Sequence, residues 1–180
     1  LATSSAASDV YKRQDIPILK RSYDCVDKRN WKQLDYWNQL LLAMRETKEL
    51  QLAETAMADG LLRLCDALNV SVPNGYELRD TPVSYLTLYG LLAYKLEIEL
   101  IDACTGYGWT VLESQVMAAT KLLPMGQTNA QKMLIELSAD VAEAVQKGLD
   151  CEDQRIGRSM PGLAFVSAKH ESQYSRLYRS

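Results

Sequence analysis

Apolar positions recur along this chain at three- and four-residue spacing, and no stretch alternates as a half-buried strand does. Residues 15–27 bring Ile18, Leu19, Tyr23 and Val26 near helical spacing, with Pro17 in the first turn, where a missing N–H costs nothing. Asn30 is placed to cap a second helix with the face Trp31, Leu34, Trp37, Leu41 and Met44. Thr47 is placed to cap a third. There Leu50, Met57 and Leu64 share one heptad position and Leu61 and Leu68 the other, which predicts a seam against neighbouring helices, with Gly60 a point of close approach or bend. Pro73 and Asn74-Gly75 mark a turn. Thr81-Pro82 then opens a long fourth helix with an inward face of Tyr85, Tyr89, Leu92, Leu96, Leu100 and Ala103, ended by Gly106-Tyr107-Gly108.

A fifth helix is expected over residues 109–123, with Leu112, Val116 and Ala119 inward, stopped by the elbow at residues 123–127. Residues 128–131 form a capping-box pattern for a sixth. Its buried face is Met133, Leu134, Leu137, Val141, Ala144 and Val145, and Gly148 ends it. A polar loop over residues 149–162 and a short helical segment at 163–168 complete the pattern. The fold class is therefore all-α: a single-domain, antiparallel helical bundle of six to seven helices, with a C-terminal docking tail at residues 168–180.

Composition narrows this reading. At 180 residues a single domain can bury most of its apolar surface, and a net charge of -3 gives no reason to invoke nucleic acid or an anionic membrane. Cys25, Cys65, Cys104 and Cys151 lie far apart with no CxxC pair, which fits buried thiols in a reducing cytosol better than a disulfide framework. The most apolar long stretch, residues 83–104, is interrupted by Lys95, Glu97, Glu99 and Asp102, so it reads as a core helix rather than a membrane span.

Candidate chemistry is sparse. His170 is the sole histidine, and a dyad with Ser172 or Ser175 would sit in a terminal tail with no orienting pocket. Gly106-Tyr107-Gly108 lacks a third glycine and follows a helix, so it is no phosphate loop. Glu97 and Glu99, two apart, are expected on different sides of a helix. Arg45-Glu46-Thr47-Lys48-Glu49 reads as a solvated junction with local ion pairs. Lys121, next to the apolar elbow, fits a side chain snorkelling at a helix C-terminus. No catalytic set and no metal ligand set emerges. The tail is dense in Arg and Tyr, the residue types that dominate binding hot spots, and reads either as a docking segment or as an ordinary exposed terminus.

Three stretches carry a family resemblance: residues 167–180 (Ser-Ala-Lys-His-Glu-Ser-Gln-Tyr-Ser-Arg-Leu-Tyr-Arg-Ser), residues 113–127 around Lys121-Leu122-Leu123-Pro124-Met125-Gly126-Gln127, and Arg45-Glu46-Thr47-Lys48-Glu49-Leu50. Together they resemble the urease accessory protein family UreF, in the family's order from Asp15 to Ser180. Lys169, Ser172 and Tyr178 are mild departures from its tail pattern.

The resemblance implies a non-enzymatic chaperone of nickel urease, cytoplasmic, that dimerises and binds UreD (also called UreH). With the GTPase UreG, the complex would couple GTP hydrolysis to nickel insertion into apo-urease. The partner-binding set it implies is His170, Glu171, Gln173, Tyr174, Ser175, Arg176, Leu177, Tyr178, Arg179 and Ser180, with Lys121 and Gln127 from the elbow segment. No cofactor is expected to bind tightly, and nickel would be handled in transit by the complex. A helical enzyme or generic adaptor, completed by a partner or by a further N-terminal portion, is the alternative.

Residues 4–14 also match the in-frame translation of a transposase adaptor used in sequencing libraries. The expected organisation is thus residues 1–14 outside the fold, 15–167 a helical domain, and 168–180 the docking tail. The family's N-terminal helices lie outside the resemblance, so an uncovered apolar face is expected on the bundle.

Overall fold

A computed structural model describes residues 11–73, 76, 82–122 and 126–157, with side chains from Arg13 onward. Among these residues a π-helical turn, Tyr11–Asp15, leads into six α-helices: α1 (Ile16–Asp27), α2 (Trp31–Met44), α3 (Lys48–Ala67), α4 (Tyr85–Lys95), α5 (Leu100–Leu122) and α6 (Gln127–Leu149). A short 3₁₀ turn, Asp153–Arg155, follows, and no described residue is in a strand. The all-α bundle expected from the apolar spacing is the fold observed.

Helix α1 is the hub. It packs against α2, α4, α5 and α6, and Ile16, Ile18 and Leu19 are fully buried. Its approach to α4 is close because Gly90 has no side chain: a Cβ there would lie 3.0 Å from Leu19 Cδ1. Its approach to α6 is closer still, since a Cβ on Gly148 would sit 2.6 Å from Ile16 Cβ. Helix α3 packs mainly on α4, and α5 and α6 form a hairpin whose own core is Leu112, Val116, Ala130 and Leu134.

Two of the expected caps are in place. Asn30 accepts from Gln33 N–H and Thr47 from Leu50 N–H. Elsewhere the boundaries move for physical reasons. The fourth helix starts at Tyr85 rather than at Pro82, capped by Ser84, whose Oγ accepts from Thr87 N–H at 3.1 Å. Asn38 fixes that start by accepting from Ser84 N–H and donating to Pro82 O. Thr81 and the Asn74-Gly75 turn lie outside the described residues.

The same helix ends at Lys95. Glu97 adopts φ 57°, with Glu97 N–H on Tyr94 O and Ile98 N–H on Ala93 O, a Schellman closure. Arg29 and Asn69 close α1 and α3 in the same way. Gly106 and Gly108, expected to terminate a helix, instead lie inside α5. A Cβ on Gly108 would come within 2.8 Å of Val141 Cγ1, so this glycine permits α5–α6 contact. Leu96, expected inward, is exposed in the turn.

At α6 the capping-box reading also gives way, because the N-cap is Gly126 and Thr128 lies within the helix. The seam expected on α3 is rotated. Glu54, Ala58 and Cys65 are buried and Leu61 and Leu62 half-buried, whereas Met57, Leu64 and Leu68 face outward. Helix α3 runs unbroken through Gly60, where an added Cβ would meet nothing nearer than Arg63 Nη2 at 3.8 Å. Tyr11–Asp15 is wound into the packed structure, with Gln14 and Asp15 buried and Arg13 O accepting from Gly157 N–H, although residues 1–14 were expected outside the fold.

Candidate functional site

Arg45 sits at the α2–α3 junction. Its Nε donates to Glu54 Oε2 and its Nη2 to Asp15 Oδ1, both at 3.0 Å. Asp15 Oδ2 accepts from Tyr107 OH at 2.7 Å, and Glu54 Oε1 accepts from Leu86 N–H at 3.1 Å. One guanidinium therefore joins the entry to α1, the start of α3, the first turn of α4 and the middle of α5.

The three charged side chains are only 5–12% exposed, so this is an interior node and not the solvated junction expected of the Arg-Glu-Thr-Lys-Glu run. Burial opposes the charge on Arg45, but Asp15 and Glu54 outweigh it and hold the guanidinium pKa above its ordinary value. Burial, reinforced by Asp15, holds the Tyr107 phenol well above its ordinary value of 10. Two carboxylates shared by one cation and a phenol are bound in place and hydrogen-bonded. The node is an interior strut that ties these helices together.

A second feature lies where the α1–α2 and α4–α5 turns meet. A cavity of about 490 Å³ is lined by Tyr23, Trp31, Tyr94, Arg29, Glu97 and Glu99, among others. Tyr23 and Tyr94 meet edge to face at 5.3 Å; Tyr23 OH donates to Ile98 O, and Tyr94 OH to Asp27 Oδ1. Glu97 and Glu99 share this wall because they lie in a turn, which corrects their expected separation on a helix. Aromatic faces beside charges of both signs suit contact more than reaction.

The elbow segment is divided between described and undescribed residues. Lys121 is exposed in the last turn of α5 and Gln127 is exposed at the first residue of α6, while residues 123–125 lie outside the described residues. Both stand at the free end of the hairpin, near exposed Leu122. His170, Glu171, Gln173, Tyr174, Ser175, Arg176, Leu177, Tyr178, Arg179 and Ser180 also lie outside the described residues, as does the helical segment expected at 163–168.

The approach to the tail is fixed. Arg21 binds Asp153 Oδ1 and Cys151 O at 2.6 Å each, and Gly157 N–H reaches Arg13 O. Among the described residues no group of three or more His, Cys, Asp or Glu could hold a metal, and no helix is long and apolar enough to cross a membrane. The node around Arg45 was missed in sequence, yet it left a signal: Glu54 shares the apolar stripe of Ala58, Leu61 and Cys65, where an acid needs a buried partner.

The described residues define an all-helical bundle braced by an interior ionic strut. Residues 5–138 match the sequence profile of the UreF family. The chain is 42% identical over 168 residues to the urease accessory protein UreF of Marinomonas sp. (strain MWYL1), covering 93% of this chain and 72% of that relative. It is 40% identical over 167 residues to the same-named protein of Alkalilimnicola ehrlichii, covering 92% and 72%. With that of Pseudoalteromonas translucida it shares 36% over 174 residues, covering 96% and 74%. The chain belongs to the UreF family. The family match begins at residue 5, within the segment expected to stand apart from the fold.

Proposed function

We propose that this chain is a non-catalytic accessory protein of urease maturation. It forms a homodimeric scaffold that binds UreD (UreH), recruits the GTPase UreG, and takes part in GTP-dependent nickel insertion into apo-urease in the cytoplasm. The observation that carries this reading is the 42% identity, over 93% of the chain, to a protein named as a urease accessory protein.

The physical features agree with a scaffold. The Arg45 node braces four helices without presenting a reactive group, and Arg21 anchors the segment that leads to the tail. On this reading Tyr174, Arg176, Tyr178 and Arg179 dock on UreD, the arginines through bidentate contacts and the tyrosines as anchors. His170, Glu171, Gln173, Ser175, Leu177 and Ser180 complete that surface, and Lys121 and Gln127 extend it at the hairpin end. Nickel passes through the complex without a tight site on this chain.

The test is affinity purification of the tagged chain co-expressed with UreD, UreG and apo-urease. UreD and UreG are expected to co-purify, and the isolated chain is expected to retain no nickel after dialysis. Isolation of the chain alone, or with stoichiometric nickel, contradicts the proposal.

A further inference from the structure

Among the described residues, one flank of α3 is apolar and uncovered. Ala53, Met57, Gly60, Leu64 and Ala67 follow one another at alternating spacings of four and three, so small and large side chains alternate down a single stripe. Met57 and Leu64 are 51% and 54% exposed, and a Cβ on Gly60 would meet only the flexible end of Arg63, at 3.8 Å. Of the charged side chains along this span, Glu54 is buried against Arg45, Asp59 and Asp66 lie off the stripe, and Arg63 borders it. A solvated flank would carry charge along its length. Small residues at every seventh position instead let a second helix approach to the short end of the usual spacing, about 8 Å between axes.

The length of the family identifies the occupant. The 168 matched residues are 72% of the Marinomonas relative, which leaves about 65 of its residues outside the match. The stripe from Ala53 to Ala67 is about 21 Å long, so four turns of helix cover it. A second copy of this chain is a poorer occupant. A stripe this long and about 10 Å wide falls well short of the roughly 800 Å² per partner of a stable interface. In the relative the unmatched residues belong to one chain with the matched ones, so their docking bears no association cost and needs no such area.

We propose that the Ala53–Ala67 flank is the seat of an amphipathic helix supplied by the part of the UreF fold that lies outside the match. It would set large apolar side chains over Ala53, Gly60 and Ala67 and small ones over Met57 and Leu64. This inference depends on family membership and is independent of the urease partners.

The test joins the unmatched residues of the Marinomonas relative to this chain in their native order. Single cysteines are placed by Met57→Cys, Leu64→Cys or Asp59→Cys in a Cys151→Ser background, the other three thiols being buried. Maleimide labelling at 57 and 64 is expected to slow at least tenfold on joining, with labelling at 59 unchanged. Gly60→Trp is expected not to lower the melting temperature of this chain while abolishing that protection in the joined protein.

Equal labelling with and without the added residues overturns the proposal. So does protection in this chain alone that grows with concentration, which assigns the flank to a second copy. Maleimide labelling of single cysteines placed in the intact Marinomonas relative, at the positions aligned with 57 and 64, decides the matter should the joined protein not fold: slow labelling supports the seat and fast labelling overturns it.

Discussion

Replacing Arg45 by methionine keeps much of its volume and removes its charge. Asp15 and Glu54 then remain in the interior with no cation between them, where their side chains are 5% and 11% exposed. Breaking a buried pair by deleting one partner costs about 3–5 kcal/mol, because the charge left behind stays desolvated. Tyr107 OH and Leu86 N–H still donate to the two carboxylates, which favours the lower half of that range. Against a total stability of about 5–15 kcal/mol, the loss is large.

With a urea slope near 2 kcal/mol/M, the midpoint falls by about 1.5–2 M, read by far-ultraviolet circular dichroism with the slope unchanged. Adding Asp15→Asn and Glu54→Gln to Arg45→Met is expected to recover at least half of the loss, since no buried charge is then stranded. A loss under about 1 kcal/mol for Arg45→Met would be that of an exposed ion pair and would refute the interior strut.

Other expected outcomes concern packing and titration. Gly148→Ala is expected to destabilise by about 1–3 kcal/mol despite its better helix propensity, because fully buried Ile16 has no room to yield, and chemical denaturation measures it. Gly60→Ala, whose Cβ would meet only Arg63 Nη2 at 3.8 Å, is expected to stabilise by up to about 1 kcal/mol in the same assay. Burial pushes the Cys104 thiol from 9 up to about 12. Its contribution to stability is therefore complete below pH 9 and lost as pH rises towards 12, so Cys104→Ala is expected to flatten the alkaline fall in melting temperature.

The sequence made the helical class legible because the apolar period is strong and because Asn30 and Thr47 carry side chains suited to capping. The break after Lys95 was not legible, since the left-handed position is filled by Glu97 while nearby Gly106 and Gly108 serve helix contact instead. The orientation of α3 was hidden by two adjacent apolar stripes. The heptad leucines marked one, but the burial of Glu54 against Arg45 selects the other for the interior. At the candidate site, Lys121 was placed correctly at a helix end, whereas Gln127, read as the last residue of the elbow, is the first residue of α6. The role of Arg45 was not legible, because a charged run looks solvated until a distant carboxylate such as Asp15 is brought beside it.

The most direct measurement is a pull-down by UreD of the chain lacking residues 171–180, alongside the intact chain, with helicity checked by circular dichroism. Capture is expected to be lost while helicity remains. Undiminished capture by UreD would contradict the assignment of that tail as the docking segment.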